Sequence, residues 1–199
     1  LQLVVSRQAT GQLLRDLTHQ VEFRIDQPEV LQVIDGMVIP LQDGRAKITA
    51  VDEDGLTADL EVMVENTANA PAISFPGRVV PIFTKLGCNG GGCHGKLAGQ
   101  NGFKLSLLGF EPREDYEHLV RESRGRRLSP ASPEQSLLLQ KSINASPHGG
   151  GKRLDVESHE YRILARWISQ GMPYSHADEP QVIAIEVMPP HRRLNAASS

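Results

Sequence analysis

The chain has 199 residues, with 21 basic against 24 acidic side chains, a formal net charge of −3, 39% hydrophobic and 5% aromatic residues. That length holds one ordinary domain or two small ones. The mixed, slightly acidic balance excludes the basic field that recruits nucleic acid or an anionic membrane surface. No apolar run is long enough to span a bilayer, so membrane insertion is not expected.

The chain opens strand-like on Leu1-Gln2-Leu3-Val4-Val5, without an initiator Met or a signal peptide, and is read as a piece of a larger protein. Alternating apolar and polar residues predict strands over Val21–Ile25, Ala46–Val51 and Leu60–Val64. Turn signals separate them: Asp26-Gln27-Pro28, Asp35-Gly36, Asp43-Gly44 and Asp54-Gly55. Short strands punctuated this way predict an antiparallel sandwich. The run Arg15–Thr18, then Pro28–Val33, Gly44–Ala50 and Leu60–Val64, resembles a bacterial immunoglobulin-like module of the Big2 type, covering about a third of the chain. The expected domain is residues 1–66, with its first strand shortened or missing.

Residues 67–76 are small, polar and proline-punctuated, and are read as a linker. The period then changes. Val79, Ile82, Phe83 and Leu86 fall on one helical face that ends at Gly87, with Pro81 harmless in the first turn. Further helices are predicted over Glu114–Glu122 and Pro133–Ser142. A last one is capped by Asp155 or Ser158, striped by Tyr161, Leu164 and Ile168 beside Ile163 and the core aromatic Trp167, and ended by Gly171 before Pro173. The helical domain is placed at residues 77–176. Residues 177–199 are a tail whose Gln181–Val187 alternates like the opening strand of a second immunoglobulin-like module.

The two cysteines of the chain lie in Cys88-Asn89-Gly90-Gly91-Gly92-Cys93-His94-Gly95. Two thiols with a histidine directly after the second suit a c-type haem, the sulfurs forming thioethers to the vinyl groups and the imidazole binding the iron. The usual run has two residues between the cysteines; here there are four, and the three glycines let the loop absorb the excess. Flanking helices would then correspond to the terminal helices of a class I cytochrome c. Three other chemistries compete. A Cys88–Cys93 disulfide leaves His94 accidental. A zinc site would need Cys88, Cys93, His94 and a further His. A redox dithiol lacks the expected spacing and βα context.

From about Phe75 to Tyr174 the chain is similar to planctomycete-type cytochrome c domains, which occur with immunoglobulin-like modules in large secreted proteins. The matching residues are Phe83–Asn89, Cys93-His94-Gly95, Gly102–Phe110, Ser136–Lys141, Pro147–Gly151 and Tyr161 through Trp167-Ile168 to Gly171. The resemblance implies a periplasmic or secreted haem protein with one covalent haem c; it supplies no reaction.

Class I cytochromes place their sixth ligand just before the final helix, and there this chain has Ser146-Pro147-His148-Gly149-Gly150-Gly151. His94/His148 ligation is therefore expected, with Met172 as runner-up. His159 is read as a surface or capping group, His118 and His176 as solvated, and Met37 and Met63 as packing residues of the β module. Lys152 and Arg153, or alternatively Arg126 and Arg127, are candidate partners of the haem propionates. Phe103, Leu105, Leu107, Leu108 and Phe110 are expected to supply the apolar wall. The expected class is thus an all-β immunoglobulin-like sandwich followed by a mainly α class I cytochrome c-like domain. The expected function is electron transfer with an unidentified redox partner protein and the parent protein's other domains, rather than enzymatic catalysis. The alternatives are an adhesion or scaffold segment with a disulfide, and a haem-based sensor or enzyme.

Overall fold

The computed structural model describes residues 1–7, 15–69, 71–175, 179 and 183–187. The chain divides into two compact units, one built on the residues before Pro71 and the other spanning Pro71–Gln181.

Among the described residues of the first unit seven strands form: β1 (Ser6–Arg7), β2 (Arg15–Asp16), β3 (Glu22–Ile25), β4 (Leu31–Ile34), β5 (Met37–Pro40), β6 (Gly44–Val51) and β7 (Thr57–Val64). All pairing is antiparallel, in three small sheets: β1 with β2, β4 with β5, and the order β3-β6-β7. The β4–β5 hairpin turns at Asp35-Gly36, both with positive φ, as its two-residue turn requires. Period-two patterning places Ala46, Ile48 and Ala50 of β6 on the buried face. Leu31, Val38, Ala46, Ile48 and Val64 share one core with Leu3 and Val30. Met63 points outward and is exposed.

The second unit is a set of short helical pieces set in loops: α1 (Val80–Lys85), α2 (Pro112–Tyr116), α3 (Leu137–Ser142) and α4 (His159–Ser169). A π-helical turn over Phe75–Val79 leads into α1, and another over Glu117–Arg121 follows α2. The helix expected over 133–142 is broken at Ser136, whose ψ of 132° leaves the helical region. A core of Phe75, Val79, Phe83, Leu119, Leu139, Leu164, Trp167 and Ile168 ties the pieces together. Phe75 sits against Tyr116, Trp167 and Tyr174 at centroid distances of 5.3, 5.4 and 6.2 Å. The Trp167 indole N–H donates to the Pro173 carbonyl at 2.9 Å, so the buried ring leaves no polar group unpaired.

Ser158 is the cap of α4, its hydroxyl accepting from the Tyr161 N–H at 3.2 Å, whereas Asp155 pairs with Lys152. Ser158→Ala is expected to destabilise the second unit by about 1 kcal/mol, read from its denaturant midpoint at unchanged slope.

The expected class does not hold. The strands make three small sheets instead of a sandwich of two, and helix accounts for only 29%, a mixed α/β content. Local hairpin pairing takes up β4 and β5, and β1 and β2 are two residues each. Left-handed residues just past their ends, Gly87, Ser123 and Asn144, confine most helices to one or two turns. In the tail, Ile183–Val187 joins no strand and is exposed; His176, Gln181 and Val182 lie outside the described residues. Among the described residues no helix is long and apolar enough to cross a membrane.

Candidate cofactor site

The cysteine loop is fixed by its own backbone. It leaves α1 through Gly87, where the Cys88 N–H still donates to the Phe83 carbonyl at 2.8 Å. The loop then turns back, with the Cys93 N–H on the Gly90 carbonyl at 2.9 Å and the His94 N–H on the Cys88 carbonyl at 3.0 Å. Leu105 N–H donates to the His94 carbonyl at 2.9 Å, stitching the loop to the following segment. Gly95 is required here: a Cβ would lie 2.0 Å from the Asn89 carbonyl oxygen. Gly92, by contrast, meets nothing within 4 Å, and Gly90 to Gly92 do not use the left-handed region.

Both cysteines are free and half-buried, and both face one cavity of about 650 Å³, within the range of pockets that enclose a cofactor-sized ligand. His94, His148, Phe103, Leu105 and Arg153 also line it, as do Phe83, read in the sequence as a helix-face residue, and Leu119, Leu137 and Leu138, which lie in segments read only as helices. The charged lining is wholly cationic: Arg126, Arg127, Lys141 and Arg153, with no Asp or Glu among the described lining residues.

The two histidines are held alike. The His94 Nδ1–H donates to the Phe103 carbonyl at 3.0 Å and the His148 Nδ1–H to the Gly151 carbonyl at 2.9 Å. A donating Nδ1 leaves the Nε2 lone pair free as a ligand. The rings are parallel to within 9° with centroids 6.3 Å apart. An imidazole nitrogen binds a metal at about 2 Å in the plane of its ring, so two imidazoles that ligate one ion from opposite sides have centroids about 6 Å apart. The His148 loop is held by Lys141, whose ammonium donates to the Pro147 carbonyl at 2.7 Å, and by Arg153, whose Nε donates to the Gly150 carbonyl at 2.8 Å.

Burial lowers the pKa of His94, with the nearby His148 and Arg127 acting in the same direction against its bond to Phe103, and so favours the neutral ring. Burial also pushes the Cys88 thiol up to about 11, the opposite of an activated redox thiolate. Among the described residues no three or more His, Cys, Asp or Glu side chains converge on a point that would hold a metal ion by themselves. The donor set is therefore two imidazoles in near-parallel planes and two thiols on one cavity with apolar and cationic lining. That set fits a haem, which brings its own equatorial nitrogens and two carboxylates, and does not fit a tetrahedral zinc.

Other candidates fall elsewhere. Met172 does not line the cavity: it follows Gly171 with φ +59°, packs against the core, and its carbonyl accepts from the Tyr116 hydroxyl at 2.6 Å. Lys152 is outside the lining and paired to Asp155. Leu107, Leu108 and Phe110 are exposed and off the cavity, because a 3-10 turn at Leu107–Gly109 with Leu108 at φ +54° turns them outward. His118 is not solvated as expected: its Nδ1 is buried without a partner. Comparison with family models, with curated proteins and with solved structures finds no match to this chain.

Proposed function

We propose that Pro71–Gln181 holds one covalent haem c and serves electron transfer, with thioethers at Cys88 and Cys93 and axial ligation by His94 and His148. The parallel His94/His148 pair at 6.3 Å, each with its Nδ1–H spent on a backbone carbonyl, is the observation that carries the reading. A bound haem supplies a one-electron ferric/ferrous couple. The chain's own residues do the rest. Phe83, Phe103, Leu105, Leu119, Leu137 and Leu138 exclude water from the two imidazoles. Arg126 and Arg153 bring cationic groups to the cavity and suit the propionates.

Held by both His94 and His148, a haem would have no open position for oxygen chemistry and would serve electron transfer, at a lower potential than with a His/Met pair. A covalent haem of this type implies maturation outside the cytoplasm, hence a periplasmic or secreted protein. The alternative is an adhesion or scaffold segment in which Cys88 and Cys93 form a disulfide. Intact mass of protein co-expressed with c-type maturation machinery is the test. A gain of one haem that survives acid–acetone extraction, with sharp low-spin bands on reduction, is expected. A colourless protein lighter by two hydrogens would overturn the reading.

A further inference from the structure

Arg127 is 4% exposed, an unusual place for a guanidinium. Its four acceptors are uncharged: the His118 carbonyl at 2.8 Å, the Glu122 carbonyl at 3.1 Å, the Gly102 carbonyl at 2.7 Å and the Ser123 hydroxyl at 3.3 Å. The planar fork thus joins the turn after α2 to the Gly102–Phe103 peptide, which no single ammonium would do. The guanidinium carbon also lies 4.7 Å from the Phe103 ring centroid, and that ring lies 4.7 Å from the ring of His94. One peptide on from the carbonyl that Arg127 holds, the Phe103 carbonyl takes the His94 Nδ1–H. Arg127 itself lines the cavity.

We propose that Arg127 is the positioning residue of the His94 imidazole, fixing its plane and its Nδ1–H bond through Phe103, and that its charge, unmatched by any hydrogen-bonded carboxylate, raises the potential of the metal centre. The inference rests on the haem reading above and deepens it. The hydrogen bond that a ligand imidazole donates from its other ring nitrogen sets ring orientation and basicity. A buried positive charge in low dielectric favours the state with one more electron. The guanidinium is therefore committed to the backbone and is not a propionate clamp, a role left to Arg126 and Arg153.

The test uses the haem-loaded protein and two variants, Arg127→Lys and Arg127→Gln. Fold is checked by far-ultraviolet circular dichroism, haem content by mass, ring-plane geometry by the g-value spread of the low-spin ferric electron paramagnetic resonance spectrum, and potential by redox titration. Both variants are expected to retain one haem and to shift the g values. The midpoint potential is expected to fall in Arg127→Gln and to fall less in Arg127→Lys, which keeps the charge and loses the fork. Wild-type g values and midpoint in either folded, haem-bearing variant would overturn the proposal. Should Arg127→Gln not fold, Arg127→Lys decides alone. The two readings fail differently: an unsubstituted protein without haem removes the cofactor assignment, whereas a haem protein indifferent to Arg127 removes only the positioning role.

Discussion

In the haem-loaded protein, His148→Ala is expected to change the iron from six-coordinate low-spin to high-spin and to allow stoichiometric carbon monoxide binding to the ferrous form, where the unsubstituted protein binds none. The expectation follows from how the ring is held. His148 sits in a loop braced by Lys141 and Arg153, its Nδ1–H donates to Gly151, and its ring faces His94 in a parallel plane. Within the described lining no methionine stands ready to replace it. Met172→Leu is the matched control, because that side chain packs in the core behind a backbone tied to Tyr116. It should leave spin state and carbon monoxide binding unchanged. The opposite pattern, with low-spin iron in His148→Ala and high-spin iron in Met172→Leu, would transfer the ligand to Met172 and undo the assignment of His148.

The same residues show what a linear pattern conveys about this chain. Cys88, Cys93 and His94 are adjacent in sequence, so their common chemistry is legible without a fold. His148 is more than fifty residues away and is singled out in the sequence by its place before the final helix; the structure sets its ring 6.3 Å from that of His94 between centroids. Arg127 was not legible in its present role. Its acceptors are carbonyls at 102, 118 and 122, and carbonyls leave no trace in a sequence. Leu107, Leu108 and Phe110 mislead for a related reason: an apolar run reads as wall, but one left-handed residue at Leu108 reverses which side it faces. The buried Nδ1 of His118 likewise depends on the turn after α2, which residue type alone does not show.

Fold class failed on a different step. Alternation marks strands well, and β3, β6 and β7 occupy the segments where it is strongest. It carries no information on which strands pair, and pairing is what separates a sandwich from three small sheets. In the second unit the i, i+3, i+4 pattern marks buried faces at Phe83 and Ile168, and helix length is overstated over 133–142, where Ser136 leaves the helical region. Left-handed residues at Gly87, Ser123, Asn144 and Gly171 follow the helix ends, and packing of Phe75, Trp167 and their neighbours supplies the order that helix length does not.

Gly95→Ala is expected to have the largest effect of any single methyl addition in the second unit. The new Cβ would stand 2.0 Å from the Asn89 carbonyl oxygen and 3.0 Å from that of Gly90, both backbone atoms that no side-chain rotation can move. Relief requires the 89–90 peptide to shift. That peptide is anchored on both sides: Leu108 N–H donates to the Asn89 carbonyl at 3.0 Å, and the Asn89 amide donates to the Thr84 hydroxyl at 2.8 Å. Overpacking of this kind costs about 1–3 kcal/mol even where side chains can adjust, so a loss at the upper end of that range is expected from chemical denaturation. Function should suffer more than stability. The Gly90 carbonyl receives the Cys93 and Gly95 N–H groups, and its displacement carries Cys93 and His94 out of register with Cys88. The expected result is a folded protein with little covalent haem, the remainder attached through a single thioether and visible as a split α band. Full haem loading with an unchanged spectrum in Gly95→Ala would show that the doubling-back of the 88–95 loop does not set the spacing of the two thiols, and the link drawn here between the tight turn and attachment would be lost.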